Sequence, residues 1–270
     1  MNIEITSFET RYLDQLDRLP PENWQSSTYD LFMHNEWQPW FHSFQVVVEK
    51  QNLIGFGMIF HFDDVAWLGW ILVHHNYRKQ GIGTQMSQFL VEKSKSLGAT
   101  KILLTATELG APIYEKLGFK YSGNYLFFSL PQNLKNFYES SKIRKAKKTD
   151  INDIVQLDQM ATAEKRQILL ENYIDSTFVF GNPSIEGFYI ENLGSGWIVA
   201  NNADAGAQLA AYRNKKQHKL VIVPDGNIAY VKDLREVGYV EKFKVPRMVL
   251  GSEPNWKPDM IYNRGAGYCG

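Results

Sequence analysis

The stretch from Trp70 to Gly98, WILVHHNYRKQGIGTQMSQFLVEKSKSLG, constrains this chain most. An apolar run, Ile71 to Val73, leads into Tyr77-Arg78-Lys79-Gln80-Gly81-Ile82-Gly83-Thr84. Ile82, Met86, Phe89, Leu90 and Leu97 then recur at helical spacing, and Gly98 stands where a helix C-terminal glycine belongs. The reading is strand, glycine-bearing loop, helix. That order aims free backbone N–H groups and the positive helix end at one place, which suits a phosphate. Two glycines let a ligand approach the backbone closely, and Arg78 and Lys79 add formal charge.

The loop is not a Walker loop, because no Gly-Lys-Ser/Thr follows four residues after its first glycine. It is not a full dinucleotide fingerprint, because Thr84, Gln85 and Met86 follow where a third small residue belongs. The plain alternative is an ordinary strand–loop–helix turn with surface charges. The whole string Val73-x-x-x-Tyr77-Arg78-x-x-Gly81-Ile82-Gly83 resembles the acetyl-CoA pyrophosphate loop of the GNAT N-acetyltransferases. A later string, Tyr114-Glu-Lys-Leu-Gly118-Phe119, is similar to the short helix that closes the fold of that family.

Read in order, the chain supports the same layout. Asn2 to Phe8 reads as a strand and Tyr12 to Leu19 as a helix stopped by Pro20-Pro21. Trp24 to Phe44 is rich in aromatics and reads as short helices. Gln45–Glu49, Leu53–Phe62 and Val65–His74 read as strands joined by hairpin turns at Lys50-Gln51-Asn52 and Asp63-Asp64. After the helix, Lys101–Thr105 reads as a strand parallel to the one before it. Pro112 and Gly118 bound a short helix, and Lys120–Leu130 reads as strand.

A second pass of the same pattern follows the polar stretch 131–142. It runs from Ile143 to Leu250, with Gly238-Tyr239 echoing Gly118-Phe119. The place of the glycine loop is taken there by Val199-Ala-Asn-Asn-Ala-Asp-Ala205, which offers Asp204 and no cation. The expected architecture is mixed α/β, with two tandem GNAT-like domains, each a mixed β-sheet flanked by helices. Their expected bounds are 1–130 for the cofactor-binding catalytic domain and 143–251 for a degenerate repeat. Residues 131–142 form a linker and 252–270 a tail, either loose or packed back on the protein.

Composition adds limits. Formal net charge is zero, so no general attraction to nucleic acid or an anionic membrane is expected. Cys269 is the single cysteine and cannot form an internal disulfide. The first residues show no basic-then-apolar leader, and no apolar run approaches membrane-spanning length. The expectation is a cytoplasmic protein, monomer or homodimer, without a bound metal. His74-His75 cannot both face one ion from an extended strand.

The family resemblance implies acetyl transfer from acetyl-CoA to an amine. The Gln80, Gly81, Ile82, Gly83 and Thr84 backbone, with Arg78 and Lys79, would meet the pyrophosphate. The strand edge at Ile71, Leu72 and Val73 would pair with the amide-rich arm. Tyr114 stands where family members carry a tyrosine acid. Many members carry a glutamate near the position of Trp70, and this chain does not. Glu108, His74 and His75 are therefore the candidate bases, acting directly or through water. Candidate acceptor-lining residues are Tyr29, Phe32 and His34 from the first half and Asp158 and Asp225 from the second, with Glu164 and Arg166 beside them. The acceptor is expected to be a small-molecule amine held between the halves. A non-catalytic acyl-CoA sensor and a protein acetyltransferase remain open alternatives.

Overall fold

In the computed structural model, which describes residues 3–20, 42–131, 141–215, 220–267 and 269, the chain forms two units. Unit 1 holds Met1–Lys120 with Met248–Ser252, and unit 2 holds Tyr121–Arg247 with Glu253–Gly270. Tyr29, Phe32 and His34 lie outside the described residues, as does most of the stretch 131–142.

Unit 1 is built on strands β1 (Glu4–Ser7), β2 (His42–Glu49), β3 (Asn52–Phe62), β4 (Val65–Val73) and β5 (Lys101–Thr105), hydrogen-bonded in that order. The stretch expected as a helix after β1 is a 3-10 helix, Thr10–Arg18, which buries Tyr12 and Leu16. β2 and β3 turn at Lys50 and Gln51, both at positive φ, so Glu49 pairs with Asn52. That is the twist a two-residue hairpin turn needs. β4 and β5 are parallel, and the crossover between them is helix α1 (Ile82–Ser96). Ile82, Met86, Leu90 and Val91 are buried along one face of α1. Each such side chain contributes roughly 1.5–3 kcal/mol of burial. They share a core with Ile59, Leu68, Ile102 and Leu104 from the sheet and with Tyr114 and Phe119. Helix α2 (Ala111–Lys116) begins with Pro at its first turn, as expected.

Unit 2 has two sheets. In the first, β6 (Lys120–Ser129) lies between β11 (Leu220–Pro224), which it meets antiparallel, and the early part of β12 (Val240–Gly251). The second has the order β13 (Ile261–Asn263), β10 (Trp197–Ala200), β9 (Gly187–Ile190), β8 (Thr177–Phe180), β7 (Ile143–Lys145). Four helices complete it: α3 (Ile151–Thr162), α4 (Gln167–Asn172), α5 (Ala203–Asn214) and α6 (Ile228–Glu236). No helix among the described residues is long and apolar enough to cross a membrane.

Two features depart from the linear reading. The division falls at Lys120, so most of β6 belongs to unit 2, while the end of β12, Met248–Ser252, lies in unit 1 beside β5. On β6, Tyr125 and Phe127 face one way and Leu126 and Phe128 the other, and all four are buried. A strand buried on both faces reads the same whichever sheet receives it. The second departure is the tail, whose residues 261–263 form a strand inside unit 2.

Candidate active site

The Arg78–Thr84 turn grows out of the end of β4. Tyr77 N donates to His74 O at 2.9 Å and Arg78 N to His75 O at 3.4 Å, forming a single 3-10 turn. Arg78 Nε then donates to Val73 O at 3.0 Å, which ties the loop back to the strand. Lys79 and Gly81 both sit at positive φ, +60° and +82°. Such alternation is the backbone pattern from which anion nests are built. Gly81 is the N-cap of α1 and supplies no capping side chain. Gln85 N, bonded to Gly81 O at 3.0 Å, is the first amide of the helix to find a backbone acceptor among the described residues. Among the described residues, the amides of Ile82, Gly83 and Thr84 have no backbone acceptor, and they stand at the positive end of a helix of 15 residues.

Gly83 adds a steric argument. Among the described residues, a Cβ there would meet Ile113 at 3.6 Å and Val73 at 3.8 Å, which is ordinary contact. The protein itself does not require glycine at this place; a ligand lying against the backbone would.

Beside this turn, β4 runs on past the end of β5. β4 pairs with β5 only from Val65 through Leu68. Gly69 to Val73 continue with partners on the β3 side, where the register shifts: Met58 faces Gly69 and Phe56 faces Leu72. Trp70 stands in this bulge at φ +49°. A bulky side chain in the left-handed region costs about 1–2 kcal/mol, and such strain collects where a site fixes the backbone. Ile71, Leu72 and Val73 therefore present main-chain groups along an edge that leads into the phosphate-type turn.

Tyr114 comes from α2 and packs edge-on against Phe119, with ring centroids 5.8 Å apart. It is 8% exposed. Burial pushes its phenol up to about 12, and the nearby Ser87 hydroxyl pulls the other way. Ser87 itself donates to Gly83 O at 2.8 Å, in the first turn of α1. Ser87 was not singled out in the sequence. The one local sign of it is a hydroxyl on the face otherwise made by Ile82, Met86 and Leu90.

The candidate bases differ. Glu108 lies exposed in the turn between β5 and α2. His74 stacks on His75, with centroids 4.4 Å apart, and its Nδ1 accepts from Asn76 N at 3.3 Å. Burial chiefly, then the neighbouring His75 and Arg78, hold His74 below the ordinary imidazole value, so it is neutral at pH 7. With Nδ1 accepting, the ring proton sits on Nε2. Nε2 is then a donor, and His74 takes up a proton only by releasing Asn76.

The second-half candidates separate from this group. Asp158 is fully buried in unit 2. Its carboxylate accepts from Arg166 at 2.6 and 2.8 Å and from Trp197 Nε1 at 2.9 Å. Arg166 also donates to the Cys269 carbonyl. Asp158, expected to line an acceptor site, has no exposed surface here and forms a buried ion pair with Arg166. Glu164, 4.0 Å from Arg166, is buried with it. Asp225 is half-buried and accepts from Asn124 Nδ2 at 2.8 Å, at the end of β11.

Unit 2 repeats strand, turn and helix without the donor turn. Asn202 caps α5, its side chain accepting from Ala205 N at 2.9 Å. The first-turn donors left open in α1 are here partly satisfied by the protein. Four residues before Gly238, where Tyr114 stands before Gly118, unit 2 has buried Leu234.

Comparison with known proteins gives the following. Residues 10–119 match the acetyltransferase (GNAT) family model. An uncharacterized N-acetyltransferase of Bacillus subtilis, YitH, is 25% identical over 197 residues, covering 67% of this chain and 68% of that one. A glucosamine 6-phosphate N-acetyltransferase of Trypanosoma brucei brucei is 32% identical over 78 residues, covering 29% of this chain and 49% of that one. A Pyrococcus horikoshii protein provisionally called an acetyltransferase superimposes with a TM-score of 0.85 at 21% identity, over 99% of this chain and 96% of that one. A tandem GNAT protein from the clavulanic acid biosynthesis pathway does so with a TM-score of 0.59 at 11% identity, over 95% of this chain and all of the other. The two structures speak for the fold alone.

Proposed function

We propose that this chain, which carries a GNAT acetyltransferase domain, transfers an acetyl group from acetyl-CoA directly to a primary amine of a small molecule. The observation that carries the reading is the turn after β4: open amides at Ile82, Gly83 and Thr84, the exposed Arg78, and a glycine that the protein's own packing does not demand. These features fit the donor. Arg78, Lys79 and the Gln80–Thr84 backbone would hold its pyrophosphate, and the Ile71–Val73 edge would pair with its amide-bearing arm. Bound there, acetyl-CoA supplies the acetyl group as a thioester.

The remaining work falls to side chains. An ammonium acceptor must lose a proton before its nitrogen attacks. Glu108, exposed and acceptor-only when ionised, takes that proton directly or through water. His74 is the second candidate, by way of Nδ1. Tyr114, kept protonated by burial, gives its proton to the leaving sulfur. A main-chain N–H of the Ile71–Val73 edge is the candidate donor to the carbonyl oxygen as it gains charge.

Thiol release from acetyl-CoA over a panel of primary amines tests the reading. Amine-dependent release supports it, and acceptance only of a protein lysine or N-terminus would replace the small-molecule acceptor. CoA binding without release from any amine or peptide would mark a sensor instead.

A further inference from the structure

Unit 2 repeats the element order of unit 1 around its second sheet: β10, a turn at Asn201-Asn202, α5, then β11, as against β4, the glycine turn, α1 and β5. The two differ in what lies between the strands. In unit 1, β4 outruns β5 and its Gly69–Val73 edge has no β5 partner. In unit 2, the C-terminal strand β13 lies along β10 antiparallel, with Ile198 opposite Asn263 and Val199 opposite Ile261.

The same segment bonds to β11. Arg264 N donates to Ile222 O at 2.7 Å, and Ile222 N donates to Asn263 Oδ1 at 2.9 Å. Its hold extends to the flanking turns. Asn227, the N-cap of α6, donates from Nδ2 to Ile261 O at 3.0 Å, and Asn263 Nδ2 donates to Gly196 O at 2.5 Å. Ser195 N donates to Gly265 O at 2.8 Å. The side chain between the paired residues, Tyr262, lies against Gly206 on the first turns of α5, where any Cβ would collide with its ring. Its other neighbour is Tyr230 of α6, with ring centroids 4.8 Å apart.

We infer that the C-terminal segment 258–267 is the built-in occupant of unit 2's strand slot. It is an extended, amide-bearing chain seated where, in unit 1, β4 runs on past β5 into the Ile71–Val73 edge proposed for the donor's arm, a comparison that rests on the reading of unit 1 as the donor site. The chemistry of the match is main-chain: alternating N–H and C=O groups of a strand edge accept any extended amide chain of the right spacing. Tyr262 on Gly206 makes the fit specific to this segment. Unit 2 is therefore closed to acyl-CoA by its own tail as well as by its lack of a donor turn. The chain binds one donor, and the tail is a structural part of unit 2.

Hydrogen exchange on the intact chain, read beside acetyl-CoA calorimetry, tests this. Amides 261–264 are expected to exchange at least a thousandfold more slowly than in a free peptide of that sequence, with one donor bound per chain. Gly206→Leu is expected to raise exchange in 261–264 at least tenfold while donor affinity stays within twofold. Free-peptide exchange in the unaltered chain, or two donors per chain, would overturn the inference. Slow exchange with no donor binding would remove the donor-site reading of unit 1, and the comparison with it. Fast exchange with one donor bound would remove only the tail's role.

Discussion

Ser87 donates to the Gly83 carbonyl at 2.8 Å, and its hydroxyl pulls against the effect of burial on the Tyr114 phenol. One buried serine thus bears on both the proposed acid and the turn that would hold the donor. Removing the hydroxyl by Tyr114→Phe leaves the ring and its packing on Phe119. Turnover is expected to fall by about 10²-fold, with acetyl-CoA affinity changed by less than twofold. Steady-state kinetics beside calorimetry separates the two. Unchanged turnover removes Tyr114 from the chemistry.

The same phenol makes a pH prediction. Its folded value lies near 12 and its unfolded value near 10. Between these, the folded protein keeps a proton that the unfolded chain has lost, so stability falls as pH rises through that window. Below pH 10 the contribution is fully present. Chemical denaturation of the wild type at pH 9 and pH 11 is expected to show a loss that shrinks in Tyr114→Phe. Equal losses in both proteins would show that the buried phenol is not its source.

Gly83 separates ligand space from folding. A Cβ there meets protein atoms only at 3.6 Å and beyond, and glycine within a helix carries a penalty of roughly 1 kcal/mol against alanine. Gly83→Ala is expected to keep or slightly raise the melting temperature while weakening acetyl-CoA binding at least tenfold. Arg78→Ala, at an exposed position, should likewise spare stability and cost about tenfold in affinity, worth about 1.4 kcal/mol. Undiminished binding in both variants would contradict the assigned turn.

The proton on His74 Nε2 ranks the two bases. Glu108→Gln is expected to lower turnover at least tenfold across pH 6–9, and His74→Gln less than threefold. If the order is reversed and the acid limb of the rate profile disappears with His74, the Asn76 bond is not held during turnover. Histidine is then the base.

Asp158 tests the buried ion pair of unit 2. Asp158→Asn leaves the Arg166 guanidinium buried without its bidentate partner, a change that costs about 3–5 kcal/mol. Denaturant unfolding should register that loss. Donor affinity measured under folding conditions is expected to stay within twofold. Full stability together with a raised amine KM would return Asp158 to the acceptor site.

Most of this organisation was legible because it is local. The β4–turn–α1 unit shows in the Ile71–Val73 run, the two glycines and the Ile82/Met86/Leu90 spacing, and the structure places its elements within a residue or two of those signals. What was not legible depends on distant partners. Nothing around Lys120–Ser129 says that this strand pairs with Leu220–Pro224. Ile261–Asn263 is too short and too glycine-flanked to declare itself a strand until β10 supplies its ladder. Asp158 reads from the sequence as a free carboxylate available to an acceptor because its partners, Arg166 and Trp197, meet it only in three dimensions. Ser87 reads as a plain helix hydroxyl until Tyr114 is placed beside it.

The central claim, that the turn from Arg78 to Thr84 is an acetyl-CoA site, is tested most directly by calorimetric titration of acetyl-CoA into the wild-type chain and into Gly83→Ala. The account expects saturable binding at one site per chain in the wild type, and affinity at least tenfold weaker in a variant that unfolds at the same temperature or above. No binding to the wild type, or equal affinity in both proteins, would contradict it.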